Sequence, residues 1–199
     1  DSETQWSRLA ARYLRKEFAV KKSVKRATVH IAGMGLYELF INGQRIGNQV
    51  LAPAPTDYRK TILYNTYDVT SLLQTENAIG VTLGNGRFYT MRQNYKPYKI
   101  PTFGYPKLRL NLIVEYADGS KETIATNTSW KLTTEGPIRS NNEYDGEEYD
   151  ARKELGNWTQ SGYDDKSWIA AQRVSIPSGT LRAQIMPGMK VMDLSLIHI

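Results

Sequence analysis

The segment Ala32-Gly33-Met34-Gly35-Leu36-Tyr37-Glu38-Leu39-Phe40-Ile41-Asn42-Gly43-Gln44-Arg45-Ile46-Gly47 decides how this chain is read. Asn42-Gly43 stands between two apolar-rich runs, and both residues tolerate the positive φ that a two-residue hairpin turn demands. A strand goes in and a strand returns. Upstream, Ala27-Thr28-Val29-His30-Ile31-Ala32 is small, β-branched and apolar and stops at Gly33 and Gly35, the marks of a further strand. Gly33-x-Gly35 after a strand imitates a dinucleotide-binding fingerprint. The imitation fails because Glu38 holds the third glycine position and a hairpin replaces the phosphate-binding helix.

Working outward, residues 61–70 and 77–83 are rich in β-branched and aromatic residues and read as sheet, the second run ending at Gly84-Asn85-Gly86. Residues 12–20 read as a first strand whose faces are imperfectly sorted. Prolines 53 and 55 place a crossing loop at residues 52–60. Thr70-Ser71-Leu72-Leu73 reads as a short capped helical turn with Thr70 or Ser71 as cap. The clearest alternation puts Leu108, Leu110, Leu112, Val114 and Tyr116 on one face of a half-buried strand, which Asp118-Gly119 turns back into residues 122–125. Trp130, Trp158 and Trp168 fit no helical spacing and read as core plugs. Strands at short intervals, Asn-Gly and Asp-Gly turns and no long helical period predict an all-β antiparallel sandwich or jelly roll.

The composition excludes several classes. With no cysteine, the 199 residues hold no disulfide, thiolate metal site or cysteine nucleophile. No apolar run approaches the ~20 residues that span a bilayer, so no membrane partner is expected, and the compartment stays open. The net charge of +6 comes from 26 basic and 20 acidic residues, with much of the excess in residues 8–26. Tyr13, Leu14, Phe18, Val20 and Val24 interrupt that basic run, which therefore reads as the solvated face of early strands and not as a nucleic-acid footprint. His30 and His198 form no metal pair, and the glycosylation-like tripeptides at Asn127 and Asn157 are of a kind that arises by chance.

Two stretches are candidates for binding. Residues 85–105 form a long aperiodic loop bearing Asn85, Arg87, Tyr89 and Tyr95, and long ordered loops are disproportionately functional. The second is Asn141-Asn142-Glu143-Tyr144-Asp145-Gly146-Glu147-Glu148-Tyr149-Asp150-Ala151-Arg152. If extended, it places Glu143, Asp145 and Glu147 on one face and Glu148, Asp150 and Arg152 on the other. Three readings compete for it: a carboxylate pair at glycosidase spacing, a calcium site, and a solvated strand in which Asp150 pairs with Arg152 and Gly146 forms a bulge. Neighbours on one strand point the same way, whereas catalytic carboxylates face each other across a cleft, so no catalytic residue is assigned. The ligand-binding candidates are Asn85, Arg87, Tyr89, Tyr95, Asn142, Asp145 and Glu147. The calcium candidates are Asp145, Glu147, Glu148 and Asp150.

The ordered series Gly33-x-Gly35-x-Tyr37-Glu38, Asn42-Gly43-x-Arg45, Thr56-Asp57-Tyr58, Tyr67-Asp68-Val69-Thr70, Asn77-Ala78-x-Gly80-Val81 and Leu83-Gly84-Asn85-Gly86 resembles the N-terminal domain of bacterial α-L-rhamnosidases. Tyr144-Asp145-Gly146-Glu147-x-Tyr149-Asp150-Ala151-Arg152 and Tyr163-Asp164-Asp165-Lys166-Ser167-Trp168 extend the resemblance. It implies a galactose-binding-like jelly roll ahead of an (α/α)₆ catalytic barrel, an inverting parent hydrolase, L-rhamnose-containing glycans as partners, and no required cofactor beyond possible calcium. A free-standing carbohydrate-binding module and a structural spacer are the alternatives. The expected organisation is a lead-in over residues 1–10, the sandwich over 11–191 and a truncated link over 192–199. Its last six residues, Leu194-Ser195-Leu196-Ile197-His198-Ile199, read either as translated library-adapter sequence or as a genuine apolar tail.

Overall fold

The computed structural model describes residues 9–89, 103–143, 146–175 and 177–192. Thirteen strands form among them: β1 Arg12–Ala19, β2 Val24–Met34, β3 Leu36–Ile41, β4 Gln44–Arg45, β5 Thr61–Asp68, β6 Glu76–Gly84, β7 Lys107–Tyr116, β8 Lys121–Ala125, β9 Lys131–Thr133, β10 Ile138–Asn142, β11 Gly146–Tyr149, β12 Ile169–Ala170 and β13 Thr180–Ala183. They build a six-stranded sheet in the order β12-β9-β1-β6-β3-β4, a five-stranded sheet in the order β13-β5-β2-β7-β8, and the separate hairpin β10-β11. All pairings are antiparallel except β13 on β5.

The Asn-Gly turn forms as its residues require, with Asn42 at φ 50° and Gly43 at φ 84° between β3 and β4. Gly35, at φ 126°, has a different need: a Cβ there would lie 2.2 Å from the Gly84 carbonyl oxygen, so glycine lets β3 start beside the end of β6. The loop over residues 52–60 carries the chain from the six-stranded sheet to the five-stranded one. At Thr70–Leu72 a 3-10 turn forms with Val69 at its N-cap and no side-chain cap. Neither Thr70 nor Ser71 caps it: both lie inside the turn, and the Thr70 hydroxyl donates to Asp68 Oδ1 at 2.6 Å and accepts from the Ala27 N–H at 2.9 Å.

The core lies between the two large sheets. Val29 and Ile31 of β2, Leu39 and Ile41 of β3, Ile79 and Val81 of β6, and Leu110, Leu112 and Val114 of β7 alternate inward and are almost fully buried, with Trp130 among them. Each sheet also carries an outer layer. Ala32, Met34, Tyr58, Ile62 and Phe88 cluster against one, and Ala11, Tyr13, Trp158 and Trp168 against the other. Strand β1 is therefore covered on both faces, which explains why Tyr13, Leu14 and Arg15 are all buried and why its faces look mixed in the sequence.

This corrects the reading of the early basic run as wholly solvated. Lys22 and Arg26 do sit at the surface, paired with Asp118 and Glu115. Arg15, by contrast, is 1% exposed. Its Nε donates to the Trp158 carbonyl at 2.9 Å and its Nη2 to the Gln160 carbonyl at 3.0 Å, while Glu17 and Asp165 supply carboxylates. Opposite Arg15 in the sheet stands Gly80, where a Cβ would meet Thr159 Cγ2 at 2.5 Å. A bare backbone at that point lets the Trp158-Thr159 segment lie flat on the sheet.

Candidate functional site

At the end of β6 the chain turns through Asn85, a 2% exposed residue whose amide ties three segments together. Its Oδ1 accepts from Arg12 Nη1 at 2.8 Å, and its Nδ2 donates to the carbonyls of Leu9 and Asn141, both at 2.9 Å. Its backbone N–H donates to Asn141 Oδ1 at 2.6 Å. Burial of an amide is tolerated when its donors and acceptor are engaged, as they are here. Asn85 thus anchors the base of the loop and offers no group to a ligand.

Around that anchor the structure gathers residues distant in sequence. Tyr89 donates its N–H back to the Asn85 carbonyl at 3.2 Å, and its ring stacks on Tyr105 with centroids 5.7 Å apart and planes 16° apart. Tyr89 is buried, whereas Tyr105 is half exposed. Burial pulls the Arg12 guanidinium below its usual value, a shift that Tyr89 and Tyr105 oppose only where their phenols are ionised. Arg87 pairs with Glu143, which stands between β10 and β11. Below this level Tyr58, Phe88 and Phe103 pack at 5.1 to 6.0 Å. Burial, then the charge of Glu143, push the Tyr58 phenol up to about 12.

The acidic stretch is not one extended run. It folds as a hairpin, with Asn141 opposite Glu147 and Asn142 opposite Gly146, the latter at φ 78°. Glu143 therefore does not share a strand face with Glu147, and Gly146 serves the turn where a bulge was expected. Glu147 and Glu148 are exposed neighbours on β11, so they project to opposite sides of it. Both oxygens of Asp150 accept from Arg152 at 2.8 Å, and that pairing holds the carboxyl at about 2. Among the described residues no group of three or more acidic or histidine side chains is arranged to hold a metal ion. The described members of the calcium set do not converge on one point, and no step is derived through a metal.

The structure thus brings Asn85, Arg87 and Tyr89 to the same end of the sandwich as Asn142 and Glu147, the latter opposite Asn141 on the hairpin. Tyr95 and Asp145 lie outside the described residues. Sequence reasoning missed Arg12 as a site residue and passed over Tyr105. Tyr105 lay among the aromatics of the long loop, but nothing in the basic run around Arg12 marked it as half inside.

Residues 22–193 match the family model described as the α-L-rhamnosidase N-terminal domain. An α-L-rhamnosidase of Formosa agariphila is 41% identical over 186 residues, covering 91% of this chain and 19% of that protein. The solved α-L-rhamnosidase of Dictyoglumus thermophilum superposes with a TM-score of 0.82 at 45% identity, over 92% of this chain and 20% of that one. That of Streptomyces avermitilis, solved in complex with L-rhamnose, gives 0.84 at 38% identity, over 94% of this chain and 18% of that one. The chain spans about a fifth of the length of these relatives. A match over most of the chain, together with the close superposition on solved relatives, fixes the assignment: this chain belongs to the α-L-rhamnosidase N-terminal domain family.

Proposed function

We propose that the chain is the non-catalytic, carbohydrate-recognising part of an inverting α-L-rhamnosidase, where it helps present terminal α-L-rhamnosides to a catalytic domain elsewhere in the polypeptide. The observation that carries this reading is the half-exposed Tyr105 ring, stacked on buried Tyr89 beside the Arg12 guanidinium. A sugar offers an apolar ring face to an aromatic surface and hydroxyl pairs to planar nitrogen donors, and rhamnose adds a methyl group. The relative solved with L-rhamnose supports the choice of sugar. Calcium is an optional ligand in this reading.

Isothermal titration with L-rhamnose, with and without calcium, tests it. Saturable heat that Tyr105→Ala abolishes supports recognition at this end of the sandwich. No heat under either condition leaves a structural spacer, a reading that the fully engaged Asn85 amide favours. The pure chain is expected to release no chromophore from an aryl α-L-rhamnoside, and reproducible turnover would overturn the non-catalytic assignment.

A further inference from the structure

The end of the described chain lies on the sandwich as a strap. Strand β13 adds in parallel to the edge of β5, and Gln184 continues it with its N–H on the Tyr64 carbonyl at 2.9 Å. The Gln184 side chain accepts from the Ala54 N–H at 3.0 Å, and Val50 donates to the Met189 carbonyl at 2.9 Å. Gly188 passes so close to Gln49 that a Cβ would meet its side chain at 2.4 Å. The strap is thus fixed against residues 49–54, yet most of its apolar side chains are left uncovered.

Six of the eleven exposed large hydrophobic residues among the described ones sit here: Leu51, Ile185, Met186, Met189, Val191 and Met192. Ile185 is 93% exposed and Met192 81%. Among the described residues the other exposed large aliphatics are Ile169, Val174 and Leu181, the last on β13 itself, so the concentration at this strap calls for a covering surface. Methionine adapts its shape to a partner, and three of the chain's five fall in this short stretch. From residue 169 to 192 the sequence has no Asp or Glu, while Arg173, Arg182 and Lys190 flank the apolar residues.

The geometry points to this strap as the docking face for a further domain of the same polypeptide, one presenting an apolar surface with an acidic margin. The inference rests on reading the chain as one domain of a longer rhamnosidase, in which it makes up about a fifth of the length. A second copy of this chain is the poorer occupant. A two-fold contact would bring together two basic margins with no Asp or Glu from residues 169–192 on either side.

The test uses the full-length polypeptide. Peroxide oxidation of each methionine is followed by peptide mass spectrometry in native buffer and in guanidinium, with buried Met34, 5% exposed, as the internal reference. Docking slows Met186, Met189 and Met192 by at least ~10-fold relative to the denatured chain, a factor equivalent to about 1.4 kcal/mol. Strap methionines that oxidise at the denatured rate while Met34 stays protected overturn the proposal. Protection that vanishes on dilution also overturns it and assigns the face to a second copy. Ile185 is too exposed for its loss to disturb the domain's own core. Ile185→Asp is therefore expected to expose Met189 with Met34 unchanged, and Ile185→Val to retain protection; if Ile185→Asp leaves all three methionines protected, docking uses another face. Rhamnose titration reads the opposite question, so a chain that binds no sugar but shields its strap loses the recognition reading alone.

Discussion

Arg12 and Arg15 stand three residues apart on β1, and the fold draws both off the surface to different ends. Arg15 lies on the outer face of the six-stranded sheet, enclosed by the carboxylates of Glu17 and Asp165 and the carbonyls of Trp158 and Gln160, with its guanidinium 5.3 Å from the Tyr163 ring centroid. Arg12 sits at the end of the sandwich on neutral oxygens, the Ala10 carbonyl at 3.2 Å and Asn85 Oδ1 at 2.8 Å, with a half-exposed tyrosine pair beside it. A charge neutralised by its own protein is a fastener. One held by neutral groups at an aromatic edge keeps an electrostatic field that a polar ligand can use.

The largest expected effect is at the fastener. Arg15→Met leaves Asp165 without its cation and unties residues 157–168 from the sheet, so urea denaturation is expected to show a loss of about 3 kcal/mol. Asp165 and Glu17 keep 25% and 41% exposure, which places the loss at the lower end of the range for broken buried pairs. A cost below about 1 kcal/mol would mean that the Trp158–Trp168 cluster holds the segment without the arginine.

Arg12→Ala is expected to cost less stability, about 1–2 kcal/mol for its charged hydrogen bonds, and to weaken rhamnose binding as well. Tyr105→Ala goes further in that direction, with a change in stability within about 0.5 kcal/mol and a loss of sugar affinity. If Arg15→Met lowers sugar affinity as much as Arg12→Ala does at a temperature where both are folded, the division between fastener and recognition edge fails.

The frame of the fold was legible because its signals are local. Asn42-Gly43, the alternation of Leu108 to Tyr116 and the breaks at Gly33 and Gly35 each act within a few residues. The hairpin within the acidic stretch was not, since its period-two pattern of carboxylates fits a straight strand equally well and only the pairing of Asn141 with Glu147 and Asn142 with Gly146 breaks it. Arg12 and Arg15 were hidden for a different reason. Their burial depends on partners 73 and 150 positions away, Asn85 and Asp165, and a basic run on a doubly covered strand looks like one on a solvated face. The strap posed the same difficulty, because its pairing with β5 spans more than a hundred residues.

The smallest effect sharpens the comparison by moving the fastener's chemistry into water. Asp150 and Arg152 make two hydrogen bonds of 2.8 Å, as good in geometry as any ion pair in the molecule, but Arg152 is 90% exposed. Solvent screens such a pair and competes for both partners, so Arg152→Ala is expected to leave the thermal midpoint at neutral pH almost unmoved. Whatever small difference remains carries a pH signature, because linkage makes the two the same size. The arginine holds the Asp150 carboxyl at about 2, below its ordinary 3.8. A carboxyl with a lowered folded-state value contributes stability above its unfolded value and loses it as pH falls through the folded one. The wild type and Arg152→Ala should therefore differ most above about pH 4 and converge as the pH approaches about 2. Acid titration of the thermal midpoint of both proteins, with Arg15→Met alongside, reads the contrast directly. A midpoint difference for Arg152→Ala as large as that for Arg15→Met would show that burial is not what separates a fastening arginine from a decorative one.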